Sequence, residues 1–196
     1  MTAAAKPEIR TAERSTSLRV SQGDVFADVK YIESASVING EFVVTGVEYP
    51  LVVVLSQDCD LQQDYLFRLG VQKEGPPDKR LVSVLVAPLY TAVHLRAGTH
   101  LDAVFGKKTL VYNRDLWKPI ASNQSARFHH IALPKEFGIP ESVIDFKHYF
   151  SVSLVSLHER RDVDRICQIA PLHKEDLCQR FSAFLSRIAV PDINDL

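Results

Sequence analysis

A short polar segment, Ser56 to Asp60, directly follows five consecutive aliphatic residues. The aliphatic run, Leu51 to Leu55, comes after a proline and is rich in β-branched residues, which is typical of a strand buried on both faces. A polar cluster at the end of such a strand stands on a rigid support at the protein surface, where sites are often built. We call this segment the elbow. Its catalytic candidates are Asp58, Cys59 and Asp60, and its substrate-binding candidates are Ser56 and Gln57.

Cys59 has two interpretations that the sequence leaves open. It is a nucleophile or redox thiol with His129 or His130 as its base, or it is a small buried hydrophobe in a turn shaped by Asp58 and Asp60. A third interpretation of the elbow gives the acidic pair, Asp58 and Asp60, a binding role. Negative charges beside a thiol disfavour its reactive thiolate form. The two flanking aspartates therefore weigh against cysteine catalysis.

A second group of reactive residue types is Arg127-Phe128-His129-His130, within the strand predicted for residues 126–134. Alternation along a strand predicts that Arg127 and His129 share one face and that Phe128 and His130 share the other. An arginine beside a histidine can hold a phosphate and move a proton, as a nuclease requires. The alternative is a solvated strand face with Phe128 or His130 in the core. We expect this segment to lie beside the elbow.

Metal and cofactor chemistry have weaker support in the sequence. Asp58, Asp60, His129 and His148 are suitable ligand types, but their spacing matches no metal-binding motif. We therefore expect no metal site and no cofactor.

The composition limits the class of protein. A chain of 196 residues is long enough for one domain with a sizeable core, and its net charge of −1 argues against a wide phosphate-binding surface but allows a local basic groove. Cys59, Cys167 and Cys178 show no CxxC spacing, which indicates a reducing, cytoplasmic location. No signal-peptide pattern and no membrane-length apolar run are present, so no membrane partner is expected.

The elements that must position these candidates follow from local patterns. Residues 1–17 lack an apolar period and predict a disordered tail, so residues 18–196 form the expected single domain. Asn39-Gly40 between apolar pairs predicts a type I′ hairpin. A second apolar run, Leu81 to Ala87, is expected to end at Pro88.

The later part of the chain predicts further strands and a closing helix. Apolar residues from Leu172 to Ile188 recur at three- and four-residue steps and predict an amphipathic helix that Pro191 ends. Cys167 and Cys178 are expected in the core beside this stripe. The mixed charges of residues 158–165 predict a solvated turn. The remaining strand predictions are residues 109–112, 126–134, 142–146 and 149–157.

The order of these elements resembles the MazF/PemK-like family, which consists of small SH3-like β-barrels with packed helices. The likeness spans most of the chain and rests on five short anchors: Gly23–Val25, Pro50–Ser56, Val86–Leu89, Ile139–Val143 and Leu177–Ile188. The resemblance implies a mainly β, α+β fold: an SH3-like barrel with a C-terminal amphipathic helix.

Many members of that family are endoribonuclease toxins, so the resemblance implies a bacterial toxin–antitoxin or antiphage defence protein that binds RNA. It also implies an arginine before the proline of the buried strand and a threonine two residues after the proline of Ala-Pro. Tyr49 and Tyr90 stand at these positions, and Thr91 lies one residue later. A tyrosine cannot replace a permanent cation at a scissile phosphate. Thr91 and His130 are further substrate-binding candidates.

Three functions therefore remain open, and with them the question of whether the chain is an enzyme. The first is a MazF/PemK-like protein of a toxin–antitoxin or defence locus that binds RNA or DNA, with or without cleaving it. The second is a barrel of the same descent that has lost catalysis and acts as a protein-binding or regulatory module. The third is a cysteine- or metal-dependent enzyme that uses the elbow. The partners to be considered are RNA or DNA, a protein encoded at the same locus, and a second copy of the chain.

Overall fold

The computed structural model describes residues 10–70, 77–102 and 106–187, which form one antiparallel sheet with helices packed against it. The strands are β1 (Ala12–Glu13), β2 (Asp24–Ile38), β3 (Glu41–Val54), β4 (Ser83–Thr91), β5 (Phe128–Ile131), β6 (Ser142–Asp145), β7 (Phe150–Ser153) and β8 (Arg165–Ile169). The helices are α1 (Asp58–Arg68), α2 (Ala92–Arg96), α3 (Arg114–Ala121), α4 (Leu154–Asp164) and α5 (Pro171–Leu185).

The sheet curls into a half-barrel. Its strand order is β1-β8-β2-β3-β4-β6-β5, and β7 pairs with the first half of β4. This arrangement confirms the predicted α+β class. The SH3-like barrel of the MazF/PemK type stays a prediction.

The last part of β3, Val52–Val54, and most of β4 are buried on both faces. Val52 and Val54 belong to one hydrophobic cluster, while Val53 and Leu55 belong to a second cluster on the other side of the sheet. The prediction of a doubly buried strand at Leu51 to Leu55 is therefore confirmed. Burying a valine or leucine side chain stabilises the fold by roughly 2 kcal/mol for each fully buried residue.

Pro88 does not end the second apolar strand, contrary to the prediction. Strand β4 continues through Pro88 to Thr91 and changes its outer neighbour from β7 to β6 at this point. The missing N–H of Pro88 therefore faces the gap between the two neighbours, where no ladder hydrogen bond is lost.

The long β2–β3 hairpin turns at Asn39 and Gly40, whose φ angles are 53° and 84°. Positive φ at both central residues is the geometry of a type I′ turn, so the predicted hairpin is confirmed. Its strands pair from Val25↔Val53 to Ile38↔Glu41, with a bulge between Ile32 and Ser34.

The C-terminal helix is α5, which begins with Pro171 at its first turn. Leu177, Phe181 and Phe184 are its buried residues, as the stripe predicts, whereas Leu172 and Leu185 are exposed. Ile188 and Pro191 lie outside the described residues. Within the part of the chain that the structure describes, no helix has both the length and the apolar character needed to cross a membrane.

The interpretation of residues 149–165 is corrected. Strand β7 ends at Ser153, whose side chain accepts a hydrogen bond from the Ser156 N–H and caps α4. The predicted turn at residues 158–165 is the second half of this helix, stabilised by an Arg160–Asp164 pair, and the start of β8. Residues 109–112 are not a strand: Thr109 and Tyr112 instead donate backbone hydrogen bonds to Gly98 and Arg96.

Ordered structure begins before the predicted boundary at residue 17. Ala12 is buried and pairs with Ile169 in β8, and the Thr11 hydroxyl donates to the Ala132 carbonyl. The segment is held by tertiary partners rather than by its own pattern. Residues 1–9 lie outside the described residues.

Helix α1 is attached to the chain before β4 through a buried carboxylate. Asp64 accepts hydrogen bonds from the Leu81 N–H (2.7 Å) and from Arg68 (2.5 Å), and Arg68 donates to the Leu81 carbonyl. We predict that Asp64→Ala lowers the free energy of unfolding by about 3–5 kcal/mol, because it leaves Arg68 and the Leu81 N–H without their partner. Urea denaturation measures the change. Asp60→Ala, which removes an exposed carboxylate from the same helix, should change stability by no more than about 0.5 kcal/mol; equal losses in the two variants would contradict the assignment.

Candidate functional site

The elbow forms the start of α1 and is held mainly by main-chain and ionic contacts. The Ser56 hydroxyl accepts a hydrogen bond from the Leu85 N–H at 2.8 Å, and Gln57 is exposed at the N-cap position. Ser56 therefore fixes the exit of β3 against β4. Gln57 remains accessible to a ligand.

Asp58 is a structural anchor in this fold. Arg19 donates two hydrogen bonds to its carboxylate at 3.0 and 2.8 Å, the Gln22 N–H donates a third, and Lys174 lies 4.0 Å away. Burial alone would raise the pKa of Asp58, but the Arg19 and Gln22 hydrogen bonds outweigh it and lower the pKa. The residue ties the N-terminal segment and α5 to α1.

Cys59 is exposed, so the interpretation of a buried hydrophobe is wrong. Its sulfur lies 3.6 Å from Gln57 Oε1 and 3.7 Å from Asp60 Oδ1, and Asp60 is also exposed. Both proposed bases have partners elsewhere, since His130 contacts Glu141 and His129 faces α5. The arrangement gives Cys59 access to solvent, and neither of the two histidines proposed as its base is paired with it.

Arg127 pairs with Asp145, which is completely buried. Its guanidinium donates to the two carboxylate oxygens at 2.8 and 2.5 Å and lies over the Phe128 ring. The hydrogen bonds to Asp145 raise the pKa of Arg127. The guanidinium of Arg127 is therefore already paired with a carboxylate. A phosphate-binding role for Arg127 stays a prediction, and a phosphate would have to compete with Asp145.

His129 points away from Arg127, contrary to the predicted shared face. Arg127 precedes β5, so strand alternation does not govern it, and its side chain follows the buried charge of Asp145. His129 is buried beside Phe146 and faces Asp176 of α5 at 3.9 Å. Burial lowers the pKa of His129 to about 4, so it is neutral at physiological pH.

His130 is half-buried, between Asn123 and Glu141. The backbone N–H of His130 donates to Asn123 Oδ1, and its ring Nε2 lies 2.6 Å from Glu141 Oε1. No hydrogen bond or ion pair between described side chains links the elbow to Arg127–His130, and a single patch made by both stays a prediction. In the described ranges, no three or more histidine, cysteine or acidic side chains come close enough to hold a metal ion.

A different polar network lies inside the sheet around Asp145. His148 Nδ1 is 3.3 Å from Asp145 Oδ2 and 3.0 Å from the Tyr90 hydroxyl. Burial lowers the pKa of His148 and raises the pKa of Tyr90. The network thus connects the buried Arg127–Asp145 pair to the Tyr90 side chain.

Tyr90 carries this network to a groove with a volume of about 670 Å³. The ring of His100 packs edge-on against Tyr90 with centroids 4.8 Å apart, and burial lowers the pKa of His100 to about 4. Thr91 lines the groove and caps α2 by accepting a hydrogen bond from the His94 N–H. The complete lining is Glu48, Pro50, Leu51, Leu89, Tyr90, Thr91, His94, Thr99, His100 and Asp102.

The groove wall beyond α2 depends on Gly98. Its φ is +70°, and a Cβ there would lie 2.5 Å from the Thr109 carbonyl oxygen. The close approach lets the Thr109 N–H donate to the Gly98 carbonyl and the Tyr112 N–H donate to the Arg96 carbonyl, so residues 109–112 pack along α2, whose His94 lines the groove. We call residues 91–125 the cationic segment.

Sequence reasoning identified Thr91 but missed His94, His100 and Asp102 as groove residues. The only sequence feature that points to them is a cluster of hydroxyl, imidazole and carboxylate side chains in residues 91–102, a stretch with no clear helical or strand period. The groove combines β3, β4 and α2, so no local pattern predicts it. The polar triplet Asp145, Lys147 and His148 between two apolar strands was the corresponding signal for the buried network.

Comparison with known proteins adds no relative. A scan against protein-family models finds no match for this chain, and no curated protein is similar to it. The MazF/PemK-like resemblance therefore rests on the anchors in the sequence alone.

We predict that a thiol reagent such as DTNB modifies one cysteine rapidly in the native protein and all three in denaturant. Cys59 is exposed, while burial raises the pKa of Cys167 to about 12 and that of Cys178 to about 11. Cys167 is buried and Cys178 is half-buried, and both thiols are protonated at neutral pH, so they react slowly in the native protein. Cys59→Ala should abolish the rapid phase, and a rapid phase that persists in this variant would refute the assignment.

We predict that protonation of His129 destabilises the fold between pH 7.5 and pH 5. Its pKa is about 4 when folded against 6.5 unfolded, so the unfolded chain binds the proton first and stability falls as the pH drops below 6.5. The contribution lost by pH 5 is about 2 kcal/mol. Urea denaturation at both pH values should show a correspondingly smaller loss for His129→Phe.

Other titrating groups contribute equally to wild type and variant, so the difference isolates His129. The matched control is His94→Gln, because the His94 side chain is exposed. A pH-dependent loss that is the same in wild type and in His129→Phe would show that this imidazole does not titrate as its burial requires.

Proposed function

We propose that this protein binds single-stranded RNA in the groove beside Tyr90, as a MazF/PemK-like barrel of a bacterial toxin–antitoxin or defence system. The observation that carries the proposal is the position of the groove. It is lined by Pro50, Tyr90 and Thr91, which are at or next to the positions where the family resemblance implies substrate-contacting residues.

The charge around the groove supports a polyanionic ligand. The cationic segment holds five cationic and two acidic residues, a formal charge of +3, whereas the whole chain has −1. All five cationic side chains are exposed: Arg96, Lys107, Lys108, Arg114 and Lys118. Such a local cluster is the electrostatic signature of a phosphate-backbone contact.

The groove also suits unstacked bases. Its floor includes the apolar side chains of Pro50, Leu51 and Leu89, and its walls offer the hydroxyl of Thr91 and the imidazole of His94 for base edges. Single-stranded nucleic acids present their bases to such surfaces, whereas a duplex does not. Trp117, half-buried beneath Arg96 at 5.9 Å, provides an aromatic face next to the cationic side chains.

The residues of the groove favour binding over cleavage. No lining residue is an arginine or a lysine, so no permanent cation stands where charge develops on a scissile phosphate. His94 and His100 provide proton transfer only. Binding of RNA without rapid cleavage is a form of the first of the three functions, which left cleavage open.

The test is fluorescence anisotropy with a labelled 12-nucleotide RNA at several salt concentrations. We expect Lys107→Ala/Lys108→Ala to raise Kd by about 5- to 10-fold at 0.1 M salt. The slope of log K against log salt should fall by about 1.4, since each single-strand phosphate contact contributes about 0.7. The same RNA, analysed on a denaturing gel, reports cleavage.

The control is Arg80→Ala/Lys135→Ala, which also removes two cationic residues whose side chains are exposed but which lie outside the cationic segment. Equal losses in both variants would mean that binding is non-specific attraction. Tighter binding of the matching DNA than of RNA, or no binding of either at low salt, would contradict the proposal.

A further inference from the structure

Strands β2 and β3 leave the core and continue as an isolated ribbon. From Lys30 to Gly46 every residue except Val43 is exposed, and the pairing continues without a third strand to Ile38↔Glu41. Two-stranded ribbons are marginally stable in water unless one face is covered. We call residues 30–48 the ribbon.

One face of the ribbon is apolar. Directly paired residues share a face, and the pairs Ala35↔Val44 and Val37↔Phe42 alternate with Ser34↔Thr45 and Ser36↔Val43. Val37, Phe42 and Val44 are 67%, 73% and 50% exposed. The apolar stripe is Ala35, Val37, Phe42 and Val44, and Ile32 extends it towards the core.

The stripe continues into the groove. Residues 44, 46 and 48 alternate onto the same face of β3, and Glu48, Pro50 and Leu51 line the groove. Gly46 lies midway between Phe42 and Pro50. A Cβ at this position would lie 2.3 Å from the Tyr31 carbonyl oxygen, so only glycine fits there. One surface therefore carries an exposed aromatic ring at its tip and an apolar hollow at its base.

We propose that two copies of this chain stack their ribbons face to face about a two-fold axis near Gly46. In this antiparallel arrangement Phe42 of each copy lies in the groove of the other. A ring and a hollow on one surface are self-complementary, as an isologous contact requires. The stripe and the groove floor are both apolar, and stacked sheets bury such faces. The Lys30–Glu48 ion pair, 3.7 Å long and exposed, lies between them on the same face.

Charge supports the antiparallel arrangement. The ribbon carries Lys30 against Glu33, Glu41 and Glu48, a formal charge of −2, while the cationic segment beside the groove has +3. Antiparallel stacking brings the acidic tip of one copy next to the cationic segment of the other. Parallel stacking would bring the two acidic tips together.

The consequence for function rests on the proposed RNA binding at the same groove. Phe42 of one copy and an RNA base cannot occupy one groove together, so self-association and RNA binding compete. The dimer is then the RNA-free state of the protein, and RNA shifts it to monomers.

Sedimentation velocity over 1–200 µM tests the dimer. We expect a concentration-dependent dimer in the wild type and at least about a 30-fold rise of its dissociation constant in Phe42→Asp, because an anchor side chain is lost twice per dimer. The matched control is Ile38→Asp, which places the same charge on the opposite face of the ribbon at a residue that is 54% exposed. Circular dichroism establishes that both variants are folded.

A wild type that stays monomeric at 200 µM overturns the proposal and leaves a different protein as the cover of this face. Equal dissociation by Ile38→Asp and Phe42→Asp overturns the assignment to the apolar stripe. Adding the 12-nucleotide RNA should convert wild-type dimers to RNA-bound monomers. RNA that binds the dimer without dissociating it overturns the competition, whereas dimers that bind no RNA contradict the proposed function and leave the dimer standing.

Discussion

Burial of Val52–Val54 in β3 and of β4 on both faces is the constraint on which the rest of this structure depends. Two separate hydrophobic clusters lie on opposite sides of these stretches, one including Phe26 and Leu157, the other Phe146 and Phe181. Because the buried stretches have no free face, polar residues are confined to the points where these stretches end or lose a neighbour. The elbow stands at the end of β3, and the groove opens where β4 passes Pro88 and meets α2. The positions of both candidate sites thus follow from one packing requirement.

A sheet closed on both faces also forces carboxylates near it into ion pairs, since an unpaired buried charge is very costly. Four aspartates each meet an arginine: Asp24 with Arg165, Asp58 with Arg19, Asp64 with Arg68 and Asp145 with Arg127. Asp24 shows the cost, because burial raises its pKa to about 6 despite the adjacent Arg165. Three of these pairs join segments that are distant in sequence, whereas Asp64 and Arg68 lie in one helix and together reach the backbone of Leu81. Asp58 and Arg127, which are catalytic candidates in the sequence, each form one of these ion pairs.

The parts of the fold that the sequence predicts are those with a local cause. Asn39-Gly40 defines its turn through its own backbone preferences, and the stripe Leu177, Phe181 and Phe184 defines α5 through helical spacing. The parts that it does not predict have causes elsewhere in the chain. The mixed charges of residues 158–165 are typical of a solvated turn. Packing of Leu154 and Leu157 in the core nevertheless makes residues 158–164 part of a helix. The groove draws residues from 48 to 102, and the Arg127–Asp145 pair spans 18 positions. No window of the sequence contains either.

The distribution of charge around the groove makes the proposed RNA site directional. The ribbon on one side carries a formal charge of −2, and the cationic segment on the other carries +3. A phosphate backbone is repelled by Glu33, Glu41 and Glu48 and attracted by the cations of residues 91–125, so it must follow the α2–α3 side. Bases then turn towards the apolar floor at Pro50 and Leu51. Salt weakens the backbone contact but leaves burial of a base in the groove unchanged. Affinity at high salt should therefore depend on the fit of the base, and sequence preference should increase as the ionic strength rises.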